Sequence, residues 1–183
     1  MRSRENFDLT VNGFWLGSAQ VALVFHLIYS QGAGVLFYFA LIALWLLGSI
    51  AGMKLITDRY LAVKLEVAAL VSFGLAALVT RSAPFTAWSL ACVLLAVILI
   101  SGYAGWFLKS RATAYGDVAR VLLFENNGFV LGYAVAGALL FYSIKAIDIV
   151  TAFVMTVCII FEFICPIVVS RGSDNPARGQ PGS

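Results

Sequence analysis

The stretch VNGFWLGSAQVALVFHLIYSQGAGVLFYFALIALWLLGSIAGM, residues 11–53, contains no Lys, Arg, Asp or Glu. As one helix it would run about 63 Å at ~1.5 Å per residue, roughly twice the hydrocarbon thickness of a bilayer. It must fold back on itself, and Ser30-Gln31-Gly32-Ala33-Gly34 is the natural break. The reading is a helical hairpin with spans near 11–30 and 33–53. Working outward, further apolar stretches fall near 61–80, 86–108, 121–143 and 147–170. Thr80-Arg81-Ser82-Ala83-Pro84 ends the third, and KSRATAYGDVAR (109–120) is expected to form the longest internal loop. Residues 1–170 read as one six-span domain. The Gly-, Pro- and Ser-rich segment 171–183 reads as a disordered tail.

The basic residues sort with these stretches. Successive gaps hold Arg2 and Arg4; none; Lys54, Arg59 and Lys64; Arg81; Lys109, Arg111 and Arg120; Lys145; and finally Arg171 and Arg178. With the N-terminus in the cytoplasm, ten of the twelve lie inside. Cytoplasmic loops of membrane proteins carry such an excess. The expected fold class is an all-α integral membrane protein, a bundle of six transmembrane helices with both termini cytoplasmic. A bacterial inner membrane is the expected location.

Composition narrows the function classes. The chain of 183 residues is 62% hydrophobic and 11% charged, with a mean hydropathy of +0.96. Charged residues make up about a quarter of an ordinary soluble domain. Six spans leave no room for a soluble catalytic domain. The net charge of +3 suits loops facing an anionic leaflet and shows no basic stripe for nucleic acid. The segment MRSRENFD holds two acids and no A-x-A site follows the first span, so a cleaved signal peptide is not expected. Cys92, Cys158 and Cys165 lie in apolar runs without C-x-x-C or Cys/His spacing; neither a disulfide framework, a metal site nor a cofactor is expected. No H-E-x-x-H, G-x-S-x-G or Walker loop occurs, so an enzyme, such as a membrane-embedded lipid-modifying one, would have to be unconventional and the non-enzyme reading leads.

Small residues recur four apart at Gly13/Gly17, Gly48/Gly52, Ser101/Gly105 and Gly128/Gly132/Ala136. That spacing puts them on one helix face, where backbones can approach closely in lipid. Trp15, Trp88 and Trp106 fall near expected span ends, where an indole sits half buried at the headgroups. Trp45 falls mid-span.

Acids inside spans are costly, about 2.5–3.5 kcal/mol at mid-span on insertion scales, and mark candidate sites. Glu162, in VCIIFEFICPIVV, is the first candidate. Pro166, four residues later, removes an N–H and would kink the helix there. Glu66 and Glu125 lie about a turn inside the cytoplasmic ends of spans 3 and 5, with Asn126 and Asn127 beside the latter. If these helices adjoin, the acids line a polar vestibule. Otherwise Glu66 near Lys64 and Glu125 near Arg120 are interface residues reaching water. His26, the single histidine, lies in the outer half of span 1 and is either proton-responsive or an interhelical hydrogen-bond partner.

The segment GMKLITDRYLAVK (52–64) faintly resembles the cytoplasmic loop between spans 2 and 3 of major facilitator superfamily transporters, as Arg120 before Gly128 and Gly132 is loosely similar to that family. Gly52 and Asp58 stand two residues too far apart and Leu61 replaces a glycine. The resemblance implies gating roles for Asp58 and Arg59 at the cytoplasmic surface. Two halves of three spans would be oppositely oriented, as in inverted-repeat transporters, although the halves show no convincing sequence match.

The leading expectation is a transporter, or transporter membrane component, for a small solute or ion. The second is a non-catalytic accessory or assembly subunit of a larger membrane complex. The bilayer is the expected surrounding, and a homo-oligomer or larger complex the possible assembly.

Overall fold

A computed structural model describes residues 2–32 and 34–164. It contains six helices: α1 (Arg2–Gln31), α2 (Val35–Leu55), α3 (Arg59–Ser82), α4 (Ala87–Tyr115), α5 (Val118–Leu140) and α6 (Ile144–Ile164). All six are long and apolar enough to cross a membrane, and the described residues contain no strand. Pro166, Cys165 and the segment 171–183 lie outside the described residues.

Two helices exceed the spans expected from hydropathy. α1 begins at Arg2, nine residues before residue 11, and α4 runs on to Tyr115. Most of the expected 109–120 loop is therefore helix. Lys109 to Tyr115 contains no Gly or Pro, so nothing stops propagation until Gly116 adopts φ 64 as a left-handed cap. Asp117 then caps α5, its carboxylate accepting from Arg120 N at 3.0 Å. Asp58 caps α3 in the same way, accepting from Leu61 N at 2.7 Å. The tryptophan reading changes too. Trp15 and Trp106 are 0% and 6% exposed, because the longer helices place them more than two turns inside. Trp88 is exposed as expected.

The helices form two bodies. α1 lies parallel to α5 through the expected glycine faces: a Cβ at Gly13 or Gly17 would meet the Glu125 or Phe129 carbonyl, and one at Gly128 or Gly132 those of Thr10 and Phe14, all well inside 3.0 Å. α2 lies parallel to α4 in a matching seam, with Gly48 against Ser101, Gly52 against Gly102 and Gly105 against Ser49. α3 packs chiefly on α4, and α6 packs chiefly on α1. One body is thus α1, α5 and α6; the other is α4, α2 and α3.

Exchanging α1 with α4, α2 with α5 and α3 with α6 turns one body into the other. The α1/α5 seam maps onto α4/α2, α1/α6 onto α4/α3, and the α1/α4 and α3/α6 contacts onto themselves. Contacts α1/α3 and α5/α6 lack such a mate. Antiparallel registers across the molecule (Asp8 with Arg111, Gln31 with Ser89, Arg59 with Glu162, Arg81 with Asp148) fix the two halves as oppositely directed. The helix pairing is thus largely symmetric under this exchange, with the two halves oppositely directed.

Candidate functional site in two polar layers between the bodies

Each inward helix face repeats at three- and four-residue steps. On α6 it is Asp148, Thr151, Met155, Cys158 and Glu162; on α3 it is Ala62, Glu66, Ala69, Phe73, Ala76 and Thr80. α1 contributes Asn12, Trp15, Ala19, Leu23 and His26, and α4 contributes Ile100, Tyr103, Phe107 and Arg111. Fourteen residues separate Asp148 from Glu162, about 21 Å along the helix. Polar groups collect at both ends of this interface, with an aromatic and aliphatic middle.

At the end bearing the N-terminus, Arg111 is the hub. Its Nε donates to Asp8 Oδ2 at 2.8 Å and its Nη2 to Glu162 Oε1 at 2.7 Å, with Phe107 under the guanidinium. Arg59 Nε approaches Glu162 Oε2 at 3.9 Å. Deeper, Asn12 Oδ1 accepts from both the Trp15 indole N–H at 3.2 Å and the Tyr103 hydroxyl at 3.1 Å. Glu66 lies beside this chain, with the Tyr103 hydroxyl near enough to turn toward it as a donor and Arg111, Glu162 and Asp8 within electrostatic reach. Glu66 is fully buried, and among the described residues neither carboxylate oxygen has a hydrogen-bond partner. A cleft of about 620 Å³ opens at this end, reaching Asp8, Asn12, Arg111, Cys158 and Glu162.

At the far end, Asp148 is the hub. It takes a hydrogen bond from the Arg81 guanidinium and pairs with His26 Nε2 at 2.9 Å. His26 Nδ1 lies 2.9 Å from Thr80 Oγ1, which is also 2.7 Å from Ala76 O. An ionised Asp148 only accepts, so Nε2 carries a hydrogen. With a neutral ring, Thr80 donates to Nδ1. With a protonated ring, Nδ1 donates to Thr80 and the hydroxyl turns to Ala76 O. Gln31 adds Nε2 bonds to Ser89 Oγ at 3.0 Å and Thr86 O at 3.2 Å.

Arg111 and His26 are each the 25th residue of their helix, α4 and α1, and they anchor opposite layers. Nearly every cross-helix polar bond of these layers joins one body to the other; His26 with Asp148 is the exception. Within the bodies, glycine seams predominate, together with the Arg120 bonds to Glu5 and Asn6 and the Tyr133 bond to Gln20.

Of the sequence-derived candidates, the structure brings Glu66 and Glu162 together and places His26 in the other layer. Glu125 is buried in the α1/α5 seam, and Asn126 and Asn127 are exposed. Hydropathy missed Asp8, Arg111, Asp148 and Arg81, because these residues sat in presumed loops or span ends. The signal was available for Asp148, which lies on the helical face of Glu162. No protein-family model, curated protein or solved structure matches the chain.

Proposed function

We propose that the chain is an integral membrane protein that moves a small solute or ion by alternating access, its two bodies rocking between the polar layers. The observation that carries this is the division of contacts. Glycine seams lock α1 to α5 and α2 to α4, with α6 and α3 packed on the longer helix of each pair, and hydrogen-bonded charges join the bodies only near the two ends of their interface. Close-packed seams resist sliding, whereas ion pairs exchange for water without loss of packing. Oppositely directed halves suit such a motion, since each open state repeats the other's geometry with the ends exchanged.

Asp8–Arg111–Glu162 with Arg59 acts as the lock on the N-terminal side, proposed as cytoplasmic from the basic-residue bias, and Arg81–Asp148–His26 as the outer lock. Glu162 becomes a gate residue in this reading. Arg59, beside Glu162, serves this lock in the reading, while Asp58 caps α3. The exposed apolar side chains of α2, including Leu36, Phe39, Leu46 and Leu47, are proposed to face lipid.

Paired spin labels test this reading, with the native cysteines replaced. Leu122→Cys with Leu61→Cys spans the bodies at the N-terminal end, and Ile28→Cys with Leu78→Cys spans them at the far end. Two distances at each end, with populations shifting in opposite directions, are expected. A single invariant distance at both ends would refute alternation and favour the accessory-subunit reading.

A further inference from the structure

Glu66 is the one charged side chain of the inner layer that the lock does not use. The layer holds three acids, Asp8, Glu66 and Glu162, against two nearby cations, Arg111 and Arg59. Arg111 is taken by Asp8 and Glu162, and Arg59 reaches only Glu162. The Tyr103 hydroxyl, the one neutral donor beside Glu66, points its hydrogen at Asn12 Oδ1 at 3.1 Å and in any case brings no charge. A fully buried carboxylate with no cation paired to it and, among the described residues, no hydrogen bond within 3.5 Å is costly by several kcal/mol, so the geometry calls for one more positive charge at Glu66. A proton needs no ligand beyond the carboxylate itself, and among the described residues no three His, Cys, Asp or Glu side chains converge here as a metal site would require.

We propose that Glu66 is the site of a transported or coupling proton, and that the proton controls the inner lock. This rests on the alternating-access reading and names the ion. Glu66 on α3 and Arg111 on α4 belong to the same body, whereas Asp8 on α1 and Glu162 on α6 belong to the other. With the proton bound, Glu66 is neutral and Arg111 bridges the bodies. When the O–H bond breaks and the proton passes to water, the new carboxylate competes for Arg111 from within its own body. Arg111 then turns from Asp8 and Glu162 to Glu66, and Tyr103 can swing its hydroxyl from Asn12 to the same carboxylate. The bodies lose their bridge and the inner end opens; reprotonation closes it. The groups facing Glu66 are Tyr103 and Arg111 from α4, Glu162 and Cys158 from α6, and Asp8 from α1.

Two readouts on the full chain in lipid test the proposal. The first is infrared absorption of the protonated carboxyl C=O stretch across a pH titration. A band that vanishes as pH rises is expected in the wild type and in Glu162→Gln, and is expected to be missing in Glu66→Gln. The second is the Leu122→Cys/Leu61→Cys distance. One controlling proton changes the open-to-closed ratio by up to about tenfold per pH unit; Glu66→Gln is expected to stay closed throughout, and His26→Gln to keep the response. Tyr103→Phe, which leaves the carboxylate in place, is expected to retain the band. Overturning results are a band or pH response unchanged in Glu66→Gln, or a response lost only in His26→Gln. Closure by sodium chloride but not by choline chloride at fixed pH, lost in Glu66→Gln, would replace the proton with an alkali cation. Motion of both ends that ignores pH would sink this proposal and leave alternating access standing. An absence of motion at either end would sink both.

Discussion

Replacing Arg111 by Ala removes the bridge between the bodies at the N-terminal end and leaves two carboxylates behind. Arg111 and Glu162 are 7% and 6% exposed, so water reaches neither freely. Breaking a buried pair by deleting one partner costs about 3–5 kcal/mol. Arg59, 3.9 Å from Glu162 and with a side chain 40% exposed, can follow Glu162 and recover part of this. The expected loss is therefore about 3 kcal/mol. For a chain of this size each kcal/mol moves Tm by roughly 2–4 °C, so Arg111→Ala should melt about 6–12 °C lower. Thermal unfolding in mild detergent, followed by tryptophan emission, measures this. The double variant Arg111→Ala/Glu162→Gln removes one orphaned acid as well, and should melt higher than Arg111→Ala alone, with a coupling of about 0.5–3 kcal/mol. A single variant within about 2 °C of wild type, or a double variant no better than the single, would refute the lock as a buried pair.

Three further outcomes follow from the same geometry. Glu66→Gln should melt no lower than the wild type, since it breaks no ion pair among the described residues and keeps an oxygen able to accept from Tyr103, whereas Glu162→Gln should melt lower; a fall of more than about 5 °C in Glu66→Gln would mean the ionised carboxylate is held by a partner. Gly52→Val pushes Cβ onto the Gly102 backbone and should cost at least about 1–3 kcal/mol, measurable as reduced Tm, while Gly74→Ala, with nothing within 4 Å of its Cβ, should be near neutral. Phe85 holds φ 62 in the α3–α4 turn and is 73% exposed, so Phe85→Gly should raise stability by about 1 kcal/mol through relief of the left-handed penalty; a lower Tm would show that the ring contributes more than its strain costs.

The number of helices was legible because hydrophobic length is a direct physical constraint, and the glycine seams because four-residue spacing is visible without a partner. Glu66 and Glu162 stood out as acids in apolar runs. Their different roles did not, because pairing depends on which helix brings a cation. Arg111 shows why: hydropathy assigned it to a loop, but the absence of Gly or Pro between Lys109 and Tyr115 extends the helix and turns the guanidinium inward. Asp8 was hidden likewise in a charged leader that is helical from Arg2. The near-symmetric pairing of the halves lies in packing rather than sequence, since small residues at seams and charges at ends can be met by many side chains. Trp15 misled because its position relative to the hydropathy boundary suggested an interface, whereas its indole donates to Asn12 in the core.

Access from the two sides can be read at two positions on α6. Cys158 sits one turn inside Glu162, and Thr151 one turn inside Asp148; both are buried. With the other cysteines replaced, a membrane-impermeant maleimide applied to one side of oriented vesicles reports Cys158, or Thr151→Cys in a Cys158→Ala background. Alternating access predicts that Arg111→Ala raises labelling of Cys158 from the N-terminal side and lowers labelling of Thr151→Cys from the far side, and that Asp148→Asn does the reverse. If each substitution exposes only its neighbouring reporter and leaves the opposite one unchanged, the bodies do not rock and the account is contradicted.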